Sequence, residues 1–272
     1  MKAKLPAFPY LIWMAMFILV PLGLVAYFAF TTGDGTFTME NIFQVGNYTT
    51  VLMKSLWLAL VSTVICLLLA YPLAYSLSKM RGPTQRTMLL LVMLPMWMNF
   101  LLRTYAWMTL LENNGIINKI LTFFGLPAAQ MINTPGAVVL GMVYNYLPFM
   151  IMPLYSIMTK INPSVIEAAQ DLGASPSKVF FRVLLPLTIP GITTGITMVF
   201  VPAVSTFIIS RMLGGGGNLL IGDLIDLQFV GNSYNPNLGS AISLVLMVVI
   251  LLCMSLMNQF DNDEESREDM LV

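Results

Sequence analysis

Long apolar runs alternate with short polar stretches along this chain, and six of the runs are long enough to cross a bilayer. They cover residues 7–30, 55–77, 87–111, 136–158, 183–209 and 241–260. Each is close to the roughly 20 residues that a helix needs to cross about 30 Å of hydrocarbon. Apolar positions within the runs do not alternate with period two, which excludes a β-barrel. The pattern predicts an all-α membrane protein forming a single transmembrane domain of six helices. Lys2 and Lys4 before the first run resemble the start of a secretory signal. That run is longer than a signal core of ~7–15 residues, and Ala26-Tyr27-Phe28-Ala29 suits cleavage poorly, so an uncleaved first span is expected. Pro72, Pro95, Pro148, Pro153, Pro190 and Pro202 fall inside the runs, where each removes a backbone bond and permits a kink.

The polar stretches orient the bundle. One set of alternate segments carries Lys2, Lys4, Lys79, Arg81, Arg86, Lys160, Lys178, Arg182 and Arg267; the other carries only Lys54, Lys119 and Arg211. Basic loops stay inside, so both termini are expected in the cytoplasm, including an acidic tail over 261–272. Arg103 lies within the third run near its outer end.

Composition narrows the chemistry. With 57% hydrophobic and 10% charged residues, the chain is far from the ~45–50% and ~25% of soluble domains. Thirteen basic residues balance thirteen acidic ones, so no net field attracts nucleic acid. The absence of histidine removes Ser-His-Asp catalysis and His-ligated zinc. Cys66 and Cys253 both sit in apolar runs, too few for a disulfide framework or a four-ligand metal cluster.

One loop breaks the membrane pattern. Residues 161–182 are too polar for lipid, yet they carry helix signals. Asn162 or Ser164 can cap a helix, Ser164 and Glu167 have capping-box spacing, and Pro163 suits a first turn. Val165, Ile166, Ala168, Ala169 and Leu172 share a face at helical spacing. Gly173 is placed to stop the helix, and Ser175-Pro176 starts another that Pro186 is expected to interrupt. A helix lying on headgroups normally presents basic residues, whereas this one presents Glu167, Gln170 and Asp171. A protein partner fits it better than an anionic membrane surface.

Glu167-Ala168-Ala169, Gly173 and then Val183-x-Leu185-Pro186 resemble the EAA loop of permease subunits of binding-protein-dependent ABC importers. Val183 replaces the commoner isoleucine. The resemblance implies a type I importer permease whose loop is a coupling helix docked in a groove of an ATPase. Glu167, Ala168, Ala169, Asp171, Gly173, Leu185 and Pro186 are then the coupling residues. It also implies two copies of a cytoplasmic ATPase that hold ATP and Mg, a second six-span permease, and an extracytoplasmic binding protein, at a bacterial inner membrane. Residues 94–107, 147–158 and 218–229 further resemble the first of two permeases of spermidine/putrescine importers. Permeases for a phosphonate, a sulfate-like anion or a metal chelate are the alternative within the class. A secondary carrier is a more distant one, because no carboxylate lies within the spans and no inverted repeat is evident.

This chain has no phosphate cradle of its own: Gly214–Gly217 lacks the Gly-Lys-Ser/Thr ending and reads as a flexible outer hairpin. Intramembrane polar residues mark candidate conduits. Here they are Asn99, Arg103, Tyr144 and Asn145, beside Trp97 and Tyr105, whose aromatic faces suit an ammonium. Tyr105 fits an interfacial aromatic belt equally well, and Arg103 could snorkel outward. Glu112, Asp223 and Asp226 fall in outer loops, either as a mouth that attracts a cation or as solvated loop acids.

Overall fold

The computed structural model describes residues 8–231 and 233–268, so Lys2, Lys4 and the last four tail residues lie outside the described region. Described residues are helical apart from connecting loops and one isolated bridge between Thr31 and Phe37. Five helices are long and apolar enough to span: α1 (Tyr10–Ala29), α2 (Glu40–Lys79), one over Pro135–Met158, one over Pro176–Val204, and one over Pro236–Met257.

The third expected span is not a single rod. It is α3 (Pro83–Trp97) followed by α4 (Phe100–Leu111) and α5 (Ile116–Phe123), with an 88° bend at the break. Met98 turns extended at ψ 148°, and Asn99 caps α4 by accepting from Leu101 N at 2.8 Å. An apolar count over 87–111 cannot register two residues, Met98 and Asn99, leaving the helical basin. Beyond the bend come α6 (Pro135–Met158), α7 (Pro163–Asp171), α8 (Pro176–Val204), α9 (Ile208–Leu213), α10 (Ile221–Phe229) and α11 (Pro236–Glu268). The fifth run, expected helical to 209, stops at Val204. Ser205–Phe207 breaks it and α9 starts separately.

Small residues draw α2, α6 and α8 into the central packing unit. On α2, Ser55, Ala59, Ser62, Cys66, Ala70 and Ala74 are all buried, at spacings of three or four. Small side chains at that spacing let helix axes approach closely where lipid supplies no hydrophobic drive. Gly191 of α8 does the same against Pro153 of α6, where an added Cβ would stand 3.2 Å from the carbonyl oxygen. Met142, Met150, Ile151 and Leu154 of α6 fill the centre. α1 leaves Leu11, Ile12, Trp13, Met16 and Phe17 exposed, which suits a helix with lipid on most sides. Asn237 of α11 joins the α1 terminus by donating to Thr31 O at 2.6 Å and Phe28 O at 3.1 Å.

α8 runs through Pro186 rather than breaking there. A proline lacks the amide hydrogen and crowds the carbonyl four residues earlier. The turn just ahead, Phe180–Leu184, is a π-helix, and its extra residue opens the ladder where Pro186 needs room.

Candidate coupling site and conduit

α7 projects from the end of the bundle that carries Lys79, Arg81, Lys178 and Arg182. Asn162 is its cap, accepting from Ser164 N at 3.1 Å, with Pro163 in the first turn. The Ser164–Glu167 capping box therefore does not form, because Ser164 is already inside the helix. Gly173 closes α7 at φ +80°, and Ala174 N donates to Ala169 O at 3.1 Å. No residue of α7 is buried. Ile166 and Ala169 are half-buried, whereas Glu167, Ala168 and Asp171 are exposed. Leu172, just past the helix, is 89% exposed. Leu185 is half-buried and Pro186 exposed at the root of α8. α7 therefore presents an unmatched apolar and acidic surface at a polar end of the bundle, the kind of patch that marks a candidate interaction site. Behind it, a cavity of about 600 Å³ separates Ile166 and Glu167 from Lys79, Arg81 and Gln85.

The candidate conduit residues divide into three groups. Trp97 is 72% exposed, and Tyr105 is exposed with it on the bent pair. Asn99 is exposed too, but its side-chain oxygen is engaged as the α4 cap. Tyr144 is half-buried and meets Trp107 edge-on at 5.4 Å between centroids. Those two rings line an apolar cavity of about 490 Å³ with Ile65 and Leu147, and it contains none of Trp97, Asn99, Arg103, Tyr105 or Asn145. Asn145 is buried and donates to Gly141 O at 2.9 Å, leaving its side-chain oxygen without a hydrogen bond. Arg103 does not snorkel: it is 8% exposed, with Nε and Nη1 unbonded and the guanidinium 5.9 Å from the Phe100 ring. Within one chain these residues do not enclose a common pore.

At the opposite end, the outer acids differ from the expectation of an open mouth. Glu112 is exposed beside a cavity of about 340 Å³ shared with Asn113 and Asn133. Asp226 is bound to Arg211 at 2.6 Å. Asp223 is fully buried, accepting from Leu220 N at 2.9 Å at the start of α10, with Arg211 Nε at 3.8 Å. One arginine therefore answers both acids. The glycine run is not a slack hairpin either. Asn218 donates to Asn133 O and Gly214 O, both at 2.9 Å, and accepts from Lys54 Nζ at 2.8 Å. A Cβ on Gly215 would lie 2.6 Å from the Asn133 side-chain oxygen.

Burial pushes the Asp223 carboxyl above its ordinary 3.8, outweighing the lowering by Ser210, Leu220 N and Arg211. An acid raised in the folded state binds its proton more tightly there than when unfolded. Its stabilising contribution is complete below 3.8 and is lost as pH rises through the folded value. Asp223→Asn is expected to flatten that acid-side decline in thermal stability. A slope identical to that of the unaltered protein would show that Asp223 does not govern it.

The model of the family described as the inner membrane component of binding-protein-dependent transport systems matches residues 67–263. The chain belongs to this family. It is 41% identical over 250 residues to the spermidine/putrescine transport system permease PotB of Haemophilus influenzae, covering 88% of this chain and 87% of that one. It is 38% identical to PotB of Escherichia coli over 248 residues, covering 88% and 90%. The fold matches a bacterial ABC transporter that imports alginate at a TM-score of 0.80 and 17% identity, covering 94% of this chain and 93% of that one. This permease is accordingly a multi-pass inner membrane protein. Its sequence hid three residues that organise the end opposite α7: Lys54 and Asn133, joined through the distant Asn218, and Arg211. None lies in a motif, and only tertiary contact reveals their roles.

Proposed function

We propose that this permease is one of two membrane subunits of an ATP-driven importer that carries polyamines, spermidine or putrescine, into the cytoplasm. The observation that carries this reading is the 41% identity to a spermidine/putrescine permease over 88% of the chain. The excess of basic loop residues at the α7 end supports a cytoplasmic location for that end and for both termini. There α7 is the coupling helix, docked on one of two ATPase copies that hold ATP and Mg. Burying side chains such as Val165 and Leu172 in the ATPase groove contributes about 1.5–3 kcal/mol each. Glu167 and Asp171 supply the charge that sets orientation.

Transport then proceeds by alternating access. ATP closes the ATPases, the coupling helices approach one another, and the spans open outward to take cargo from an extracytoplasmic binding protein. Hydrolysis returns them inward. The conduit forms between this chain and the second permease, since Trp97 and Tyr105 face out of the single chain. Their rings can hold an ammonium as it sheds water, and the second permease supplies carboxylates. Arg211 already occupies Asp223 and Asp226 here.

Uptake of labelled spermidine by cells carrying the complete importer tests the assignment. Excess putrescine is expected to compete, and phosphonate or sulfate is not. Competition by the anions alone would move the permease to another substrate class. A single cysteine introduced at Ser164 should react with an impermeant maleimide only in inside-out vesicles. Labelling of intact cells would invert the topology.

A further inference from the structure

The 600 Å³ cavity behind α7 adjoins a second, very different space. Tyr75 lines both, and Lys79 Nζ sits 5.4 Å from the centre of its ring. On one side of Tyr75 the walls are polar and basic, with Ser78, Lys79, Arg81 and Gln85. On the other lies an apolar groove of about 470 Å³ between α2 and α8, walled by Leu67, Leu68, Tyr71, Phe180 and Phe181. Phe181 is exposed there, and Phe180 stacks edge-on with Tyr71 at 5.4 Å.

Charge decides what such a composite space accepts. No aspartate or glutamate occurs anywhere between residues 41 and 111, or between 172 and 222. The segments forming the groove and its rim therefore carry only positive side chains: Lys79, Arg81, Lys178 and Arg182. Glu167 is the single carboxylate on the polar cavity, and it forms no ion pair with Lys79 or Arg81. Those two cations outnumber it. A greasy slot opening beside a pair of unpaired cations matches a molecule with an anionic head and a hydrocarbon tail.

We propose that the cavity and groove together bind one anionic phospholipid of the cytoplasmic leaflet. Its phosphate lies against Lys79 and Arg81, and one acyl chain runs past Tyr75 along Phe180 and Phe181. The choice of leaflet rests on the topology proposed above; the site itself does not. The acyl chain, already out of water in the bilayer, gains only packing against the groove walls, while the cations select the headgroup. The chain occupies the π-turn of α8, wedging α2 against α8 at the root of the coupling helix.

Native mass spectrometry of the full-length permease, released from nanodiscs of equal parts phosphatidylglycerol and phosphatidylethanolamine, reads the preference directly. Phosphatidylglycerol is expected to be retained by roughly thirtyfold over phosphatidylethanolamine, the order that two cations near a lipid surface confer. The double variant K79Q/R81Q should fall to near parity, whereas Arg86→Gln, a cation outside the cavity, should keep the preference. Phe181→Ser should reduce retention of both lipids. Thermal unfolding in each lipid confirms that every variant is folded, and only the unaltered protein and Arg86→Gln should gain stability from phosphatidylglycerol. Parity in the unaltered protein, or an undiminished preference in K79Q/R81Q, overturns the proposal. Loss of the bound lipid once the second permease is assembled does so as well, because the groove would then be a subunit interface. Spermidine uptake enters none of these readouts, so a wrong substrate assignment leaves them intact.

Discussion

Gly173→Val is expected to reduce spermidine uptake by about tenfold or more, with the inserted amount of permease unchanged. The cost is conformational. Gly173 adopts φ +80°, and a Cβ there would meet nothing within 4 Å, so no clash unfolds the bundle. A β-branched residue instead resists the left-handed turn by about 1–2 kcal/mol. The turn relaxes, α7 swings relative to α8, and the surface offered to the ATPase is misplaced. A loss of 1.4 kcal/mol in docking is already about tenfold. Glu167→Lys attacks the same step electrostatically, leaving backbone and cap untouched. In proteoliposomes both variants should lose the stimulation of ATP hydrolysis by loaded binding protein. Full stimulation and normal uptake in both would remove α7 from the coupling role.

The second large effect lies at the opposite end. Gly222→Ala is expected to lower the permease's stability by about 1–3 kcal/mol, the cost of overpacking a tight site. The added methyl would stand 2.5 Å from Ser205 O and 2.6 Å from Thr206 O. Both are backbone atoms, and no rotamer change relieves the contact. This close approach sets the start of α10 under the frayed end of α8, where Ile221 N also donates to Ser55 Oγ at 2.8 Å. Gly141 is the instructive contrast: its added methyl would meet side chains, Leu213 and the γ-methyl of Ile209, rather than backbone, though both are fully buried and can yield only by repacking. Gly216→Ala, in open space at ordinary φ, should change stability by no more than about 0.5 kcal/mol. Thermal unfolding in nanodiscs compares the three. A Gly222→Ala protein as stable as Gly216→Ala would mean that α10 moves away freely.

Much of the coupling region was legible because its signals are local. Asn162, Pro163, Gly173 and Ser175-Pro176 each specify a backbone state within a few residues, and the structure uses each of them. Ser164 was misread as part of a capping box because two caps stood two residues apart, and the reading offered no means of choosing. The outer acids were misread for a different reason. Asp223 and Asp226 look like loop carboxylates until Arg211, more than ten residues away, is brought beside both. The glycine run looked slack because its partners, Asn133 and Lys54, lie 85 and 164 residues from Asn218.

Taken alone, the sequence determined that the chain crosses a membrane by helices, which end gathers the basic residues, and where α7 stops. Hydrophobic run length, loop charge and helix caps are properties of neighbouring residues, and a bilayer enforces them independently of packing. Tertiary structure decided where the third span bends, which acids are neutralised, that Arg103 and Asn145 are buried with bonding capacity unused, and that a basic cavity adjoins an apolar groove at Tyr75. Those features depend on groups far apart in the chain meeting across a dry interior. There a single contact changes the state of a charge, and no local pattern encodes it.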